Sequence, residues 1–208
     1  MHIEFLLEER SAEEALKCIL PKILSGNVGY GLHVFGGKDN LLKELPKRLK
    51  GYRRWIPDDW RIIVLIDEDR KDCLQMKEKL EKAAREAGLR TKSSTTSEGN
   101  FQVVNRLAVE ELEAWFFGDI EALRKAYPKV PKTLQYQARY RNPDAVPGGT
   151  YEALERLLVR ARYYTGKLPK VTVAGNIARH MEPNRNRSKS FQVFVAGIKA
   201  CVGEELLV

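Results

Sequence analysis

The sequence predicts an α/β fold with a mainly parallel sheet flanked by helices, followed by a helical C-terminal part. Apolar, strand-like runs alternate with helix-like periods through the first half of the 208-residue chain, a pattern typical of βαβ units. Beyond about residue 118 the pattern becomes mainly helical. We therefore expect an α/β core over residues 1–118 and a C-terminal helical subdomain over residues 119–208 that packs on this core.

Four short runs rich in branched apolar residues predict the strands. Each is bounded by polar residues or glycine. The clearest is the third, because five consecutive apolar residues lead directly into a cluster of acids. The predicted strands span residues 3–7, 31–35, 61–66 and 101–109.

Helical periodicity and end signals predict the helices. Ser11 followed by Glu14 has the spacing of a capping box. Gly88 is placed to end a long helix, and another helix must tolerate Pro46 or bend at it. A proline-containing loop is expected over residues 128–149. The predicted helices span 11–24, 39–49, 71–87, 111–117, 120–127, 151–163, 173–181 and 190–202.

The composition favours a cytoplasmic protein with a polyanionic partner. Lys and Arg number 36 against 28 Asp and Glu, giving a net charge of +8, which attracts nucleic acids through counterion release. No apolar run approaches the roughly 20 residues that cross a bilayer, and the N-terminus carries no basic leader. The three cysteines are widely spaced and suggest neither a disulfide framework nor a metal site.

Acidic residues follow two of the predicted strands. The first strand ends at Glu8 and Glu9, and the third runs into Asp67 and Asp69. Ligands of open parallel sheets bind at the carboxyl ends of the strands. Since strand side chains alternate, the two aspartates can project to the same side. Caps on the following helix are the alternative role for this pair.

The residue types indicate which metal would bind there. Carboxylate oxygens are hard ligands that suit Mg²⁺ or Mn²⁺, and the three histidines of the chain show no ligand spacing. Carboxylates crowded at one sheet edge repel one another unless a cation or protons neutralise them. We therefore predict a divalent metal site at this edge.

The acids also carry a family resemblance. A Glu that closes the first strand, followed later by a strand ending in an Asp-x-Asp pair, resembles the Toprim domain of topoisomerases, primases and the overcoming-lysogenisation-defect nucleases. The full set of motifs resembles a Toprim-like family, domain-of-unknown-function family four-two-seven-six. The segments that carry this likeness are 6–13 (LLEERSAE), 37–42 (GKDNLL), 64–69 (VLIDED), 111–116 (ELEAWF) and 186–191 (NRSKSF).

The resemblance implies a Rossmann-like Toprim core and a Mg²⁺ site built from the first Glu and the Asp-x-Asp pair. Matching Glu9 also aligns Glu13 with an acid of the family four positions on, so Glu9 is preferred and Glu8 is the alternative. Relatives often follow the first Glu with Gly, where this chain has Arg10. The implied catalytic residues are Glu9, Asp67 and Asp69.

Two further acids have two interpretations. Glu111 and Glu113 begin a predicted helix, where the helix dipole favours negative charge. One interpretation is therefore a purely structural role. By analogy with Toprim nucleases that hold two ions, one of them is a ligand of a second metal. The sequence does not decide whether one metal ion or two are bound.

Two segments are candidates for phosphate contact. Lys38 follows two glycines between a strand and a helix, although the Walker spacing is absent and an ordinary glycine turn is the alternative. A second, basic segment precedes the last helix, with a solvated, helix-capping loop as its alternative. Its residues are Arg185, Arg187, Ser188, Lys189 and Ser190.

These features predict a metal-dependent phosphodiester-processing enzyme, a nuclease that acts on DNA or RNA. The alternative is a non-catalytic Toprim-like module that binds nucleic acid or an operon-encoded protein partner in a defence or mobile-element system. A receiver domain would need a single phospho-accepting Asp, and a haloacid-dehalogenase phosphatase would place its Asp-x-Asp pair after the first strand. Oligomeric state is left open.

Overall fold

The carboxyl ends of all the strands meet at one edge of a parallel sheet. The computed structural model describes residues 1–68, 73–95 and 101–203. Within these ranges one sheet has the strand order β2-β1-β3-β4, with every neighbouring pair parallel. This confirms the predicted α/β fold. The strands are β1 (His2–Leu7), β2 (Gly29–Val34), β3 (Trp60–Asp67) and β4 (Val103–Ala108).

The helices follow the expected alternation and then continue through the C-terminal part. None of those in the described ranges is both long and apolar enough to cross a membrane. They are α1 (Arg10–Ile19), α2 (Lys38–Arg53), α3 (Cys73–Glu86), α4 (Glu113–Gly118), α5 (Ile120–Ala126), α6 (Thr150–Arg160), α7 (Lys170–Ala178) and α8 (Lys189–Val202).

The start of α1 differs from the sequence expectation. The helix begins at Arg10, and Glu9, with an extended backbone, is the N-cap residue. Ser11 lies inside the first turn and is buried, so the predicted capping box is wrong. The helix α2 contains Pro46 and continues to Arg53, which shows that it tolerates the proline.

The sheet separates two hydrophobic layers. Ile63 and Leu65 of β3 pack on one face with α1 and the C-terminal helices, whereas Ile62 and Val64 pack on the other face with α2 and α3. Burial on both faces explains why these strands read as continuous apolar runs. The first layer extends without a break across residue 118, so the C-terminal helices share a core with the sheet. The predicted domain division stays a prediction.

Candidate metal centre

The acids that follow β1 and β3 lie side by side at the carboxyl edge of the sheet. Leu7 pairs with Leu65 in the register of the two strands. The next side chain, Glu8, is buried, and its Oε2 accepts a hydrogen bond of 3.1 Å from the backbone N–H of Asp67. Asp69, the other aspartate of the predicted pair, lies outside the described residues.

Asp67 faces the C-terminal helices. Side chains alternate along a strand, so Asp67 continues the row of Ile63 and Leu65, which pack in the layer formed with those helices. Glu9 borders the same side, in a groove between α1, β2 and α7. The structure therefore places Glu9 and Asp67 on a common side of the sheet edge.

Lys170 is the cation around which these acids gather. It is the first residue of α7 and is partly buried. Burial on its own would lower the pKa of the ammonium group, but nearby carboxylates outweigh that effect and raise it. In order of influence, the carboxylates are those of Glu113, Glu9, Glu111 and Asp67.

Sequence reasoning missed Lys170. It has no acidic neighbour in the chain and lies about a hundred residues from the aspartates. One signal was available, because a cation in the first turn of a helix opposes the helix dipole. Such a residue calls for compensating negative charge, which the carboxylates supply.

Glu113 is the most deeply buried acid of this cluster, with 4% of its surface exposed. Burial raises the pKa of its carboxyl group, Lys170 opposes this rise, and Glu111 and Glu9 add to it, so that the pKa is about 7. Its carboxyl group therefore exchanges a proton near neutral pH. A group of this kind is suited to proton transfer or to releasing its proton when a cation binds.

Glu111 has a structural role. Its Oε2 accepts hydrogen bonds of 2.9 Å from the Thr150 hydroxyl and 2.8 Å from the Tyr151 backbone N–H, which caps the N-terminus of α6. This role differs from the structural one that the sequence offered, because α4 begins at Glu113 and Glu111 caps another helix. The other interpretation, metal ligation, stays a prediction for Glu111 and Glu113.

Glu13 lies one helical turn beyond Glu9 and lines the same groove of about 600 Å³, together with Lys170. Its carboxylate also forms an ion pair of 3.0 Å with Lys17. Glu13 thus lies beside the cluster and already pairs with a cation, which it shares with Glu14.

The donor chemistry of the edge fits a hard divalent cation, because it consists of carboxylate oxygens that crowd together and repel one another. Over the described residues, no three His, Cys, Asp or Glu side chains are already arranged to hold a metal ion. Asp69, which the resemblance assigns to the site, is not among those residues. The fit therefore rests on Glu9, Asp67 and Glu113, with Glu8 held against the Asp67 backbone.

A family comparison covers nearly all of this structure. The family described as domain of unknown function (DUF4276) matches residues 7–199. The chain belongs to this family. The matched region runs from the last residue of β1 into α8 and contains every acid of the cluster as well as Lys170. No curated protein and no solved structure matches the chain.

In this member of the DUF4276 family, the glycines before Lys38 form the turn from β2 into α2. Gly36 and Gly37 have φ angles of 74° and 124°, which favour glycine. The Gly37 N–H donates a hydrogen bond of 2.9 Å to the Glu8 carbonyl oxygen, which holds the turn against the carboxyl end of β1. Lys38, partly buried, is the first residue of α2.

The basic segment before α8 is held largely by acids of the protein. Arg185 donates two hydrogen bonds, of 2.8 Å from Nε and 2.9 Å from Nη2, to the buried carboxylate of Asp119. Ser188 caps α8, and the Ser188 and Ser190 hydroxyls each donate 2.7 Å to Asp144 Oδ1. Ser188 thus has the helix-capping role that the sequence offered as the alternative, although Ser188 and Ser190 are buried rather than solvated.

Arg187 and Lys189 of the same segment are exposed. Their backbone N–H groups nevertheless donate hydrogen bonds within the protein, that of Arg187 to the Gly118 carbonyl oxygen and that of Lys189 to the Asp144 carboxylate. Phosphate contact by this segment therefore stays a prediction that concerns the side chains of Arg187 and Lys189.

We expect Glu113→Gln to stabilise the metal-free protein at pH 8 but not at pH 5. The folded-state pKa of about 7 exceeds the ordinary value of 4.5, so the folded protein binds the extra proton between these values and its stability falls as pH rises through this window. The neutral amide of glutamine avoids the free-energy cost of ionising this buried carboxyl group, which is on the order of 2–3 kcal/mol. Urea unfolding in chelator at both pH values measures the difference.

The matched control is Glu152→Gln, which removes an exposed charge from α6. It should change the free energy of unfolding little at either pH. An equal effect of Glu113→Gln at pH 5 and pH 8 would show that the Glu113 carboxyl does not titrate in this window.

Proposed function

We propose that this chain is a metal-dependent phosphodiester-processing enzyme, a nuclease acting on DNA or RNA, with a Toprim-like site at the carboxyl edge of its sheet. The observation that carries the proposal is the convergence of Glu9, Asp67 and Glu113 on Lys170. Membership of the DUF4276 family covers the whole site but assigns no activity.

The cluster is rich in negative charge. Among the described residues, the carboxylates of Glu113, Glu9, Glu111 and Asp67 all raise the pKa of Lys170. Burial makes negative charge costly here, and the raised pKa of Glu113 is one response to that cost. Binding of a hard divalent cation is the other response, and it would leave all the carboxylates ionised.

The residues proposed to hold Mg²⁺ or Mn²⁺ are Glu9, Asp67 and Asp69, with Glu8 as the alternative to Glu9. Such an ion would supply Lewis-acid stabilisation of negative charge on a phosphodiester. Glu111, Glu113 and Glu13 are further candidate ligands. Of these, Glu113 is preferred, since Glu111 already caps α6 and Glu13 already pairs with Lys17.

The side chains of the protein have separate roles in this proposal. The Lys170 ammonium lies among the carboxylates and would donate hydrogen bonds to a non-bridging phosphate oxygen. Glu113, whose pKa of about 7 lets it hold a proton in the metal-free site, would release that proton when the ion binds. The net charge of +8 would draw a polyanion towards the protein.

The proposal is tested by incubating the wild-type protein with labelled single- and double-stranded DNA and RNA in Mg²⁺, in Mn²⁺ and in chelator. Cleavage that requires a divalent ion is expected. Persistent cleavage in chelator would overturn the metal mechanism. Binding without cleavage under every condition would favour the non-catalytic module that binds nucleic acid or an operon-encoded partner.

Metal binding has its own expected result. Millimolar Mg²⁺ should raise the melting temperature of the wild-type protein, because a ligand that binds only the folded state stabilises it, by about 2.7 kcal/mol at a hundredfold excess over Kd. The Asp67→Asn variant should show a much smaller rise. Calorimetric melts with and without metal measure both, and an equal rise in the two proteins would place the ion elsewhere.

A further inference from the structure

A second groove runs along α2, on the face of the sheet opposite to the C-terminal helices. It encloses about 410 Å³, within the size range of small-ligand pockets. Its walls include the aromatic side chains of Phe35, Tyr52 and Trp55, the cations of Lys47 and Arg48 and one acid, Glu44. Of the three rings, Trp55 is the exposed one. An exposed aromatic ring beside cations can stack on an unpaired nucleobase while the phosphates meet positive charge.

Trp55 is positioned for stacking. It is 56% exposed, although large aromatic side chains are usually well buried. Its ring centroid lies 5.4 Å from that of Tyr52 and 5.6 Å from that of Trp60, the latter at an interplanar angle of 80°. These two rings support the indole from the protein side while more than half of its surface faces solvent.

Arg48 is also held in place. Its guanidinium carbon lies 5.3 Å from the centre of the Tyr52 ring, and its Nη2 lies 3.2 Å from His33 Nδ1. A cation fixed in this way loses less conformational entropy on contacting an anion. The contact therefore presents a preorganised positive charge beside Trp55.

The charge of α2 selects a polyanion. Six of its sixteen residues are basic and two are acidic, and five of the basic ones are exposed. This excess of positive charge is unsuited to a basic or neutral peptide and complements a phosphodiester backbone. The basic residues are Lys38, Lys43, Lys47, Arg48, Lys50 and Arg53.

The groove adjoins the candidate metal centre. Phe35, just after the carboxyl end of β2, lines both this groove and the one that contains Glu9 and Lys170. Trp55 lies at the far end of this groove, where it packs on Trp60 at the start of β3. A strand whose phosphodiester lies at the acids can pass Phe35, continue along α2 and place a base several nucleotides away at Trp55. A duplex cannot do so without unstacking, because its base faces are covered.

We propose that the α2 groove binds single-stranded nucleic acid, with a base stacked on Trp55 and the adjoining phosphates on Lys47 and Arg48. This assignment rests on the proposed function and narrows its substrate to a single strand or a single-stranded end.

Gly51 offers a variant that blocks the groove without disturbing the fold. It lines the groove within α2, and a Cβ built on it meets nothing within 4 Å. Gly51→Leu should therefore fold at least as well as wild type, because glycine is a poor helix former. Its side chain would occupy the space that the base needs.

The test is fluorescence anisotropy with labelled 15-nucleotide single strands and a 15-base-pair duplex, in chelator so that cleavage plays no part. Wild type should prefer the single strands. Trp55→Ala should weaken their binding about five- to hundredfold, and Gly51→Leu at least about tenfold. Lys47→Ala should reduce the slope of log affinity against log salt by about 0.7.

The controls are Tyr136→Ala, which removes another highly exposed aromatic ring, and Lys79→Ala, which removes an exposed cation from α3. Both should bind like wild type. Equal affinity for duplex and single strand, or unchanged binding by Trp55→Ala and Gly51→Leu, would overturn the groove assignment. Since binding is measured without metal, a protein that binds through the groove but never cleaves would refute the proposed nuclease and leave the groove assignment standing.

Discussion

Asp67→Asn should abolish metal-dependent cleavage while leaving the protein folded. Loss of a residue that merely supports a metal ligand lowers metal affinity or activity about 10–100-fold. Loss of a ligand carboxylate should therefore lower the cleavage rate by on the order of a hundredfold or more. The substitution removes one of the four carboxylates near Lys170, which relieves repulsion in the apo protein. Initial cleavage rates at saturating Mg²⁺, with urea unfolding in chelator, give both quantities.

Asp58→Asn is the matched control. Asp58 is exposed and lies just before β3, at the opposite end from Asp67. Its loss changes the net charge identically but leaves the carboxyl edge untouched. Equal rates for the two variants would remove Asp67 from the chemistry. A free energy of unfolding lowered by several kcal/mol in Asp67→Asn alone would show that this acid is structural.

Asp144→Ala should destabilise the protein by about 2–4 kcal/mol. The carboxylate accepts hydrogen bonds from the hydroxyls of Ser188 and Ser190 and from the Lys189 N–H, and it lies at the positive end of the α8 dipole. Ser188 and Ser190 are buried, so the substitution removes a charged acceptor from hydroxyls that water reaches poorly. Urea unfolding at pH 7 measures the loss.

Asp144→Asn is the informative partner variant, because the amide keeps an acceptor oxygen and removes the charge. Its free energy of unfolding should lie between those of wild type and Asp144→Ala. Asp58→Ala, which removes an exposed acid elsewhere, should change the free energy of unfolding by less than about 0.5 kcal/mol. An effect of Asp144→Ala equally small would mean that solvent replaces the acid at the helix end.

The α/β fold could be predicted because its signals are local. In β3, the consecutive apolar residues 62–66 match a strand buried on both faces, and the structure buries them there. The position of Asp67 at the carboxyl edge follows from strand direction alone, since all parallel strands end at the same edge. The start of α1 could not be read in this way, because Glu9 takes the N-cap position without a side-chain hydrogen bond.

The partners of the charged residues depended on the tertiary structure. Arg185 lies 66 residues from Asp119, and Ser188 lies 44 residues from Asp144. The sequence showed Arg185 and Ser188 within a basic segment suited to phosphate. Packing instead placed an acid against each of them.

The same division applies to the candidate site. The residue types and strand ends alone determined that Glu8, Glu9 and Asp67 belong to one sheet edge. Only the packing of α4 and α7 against that edge brought Glu113 and Lys170 to these acids. The physical reason is that a strand direction is encoded by neighbouring residues, whereas burial and charge pairing depend on which distant helix covers the site.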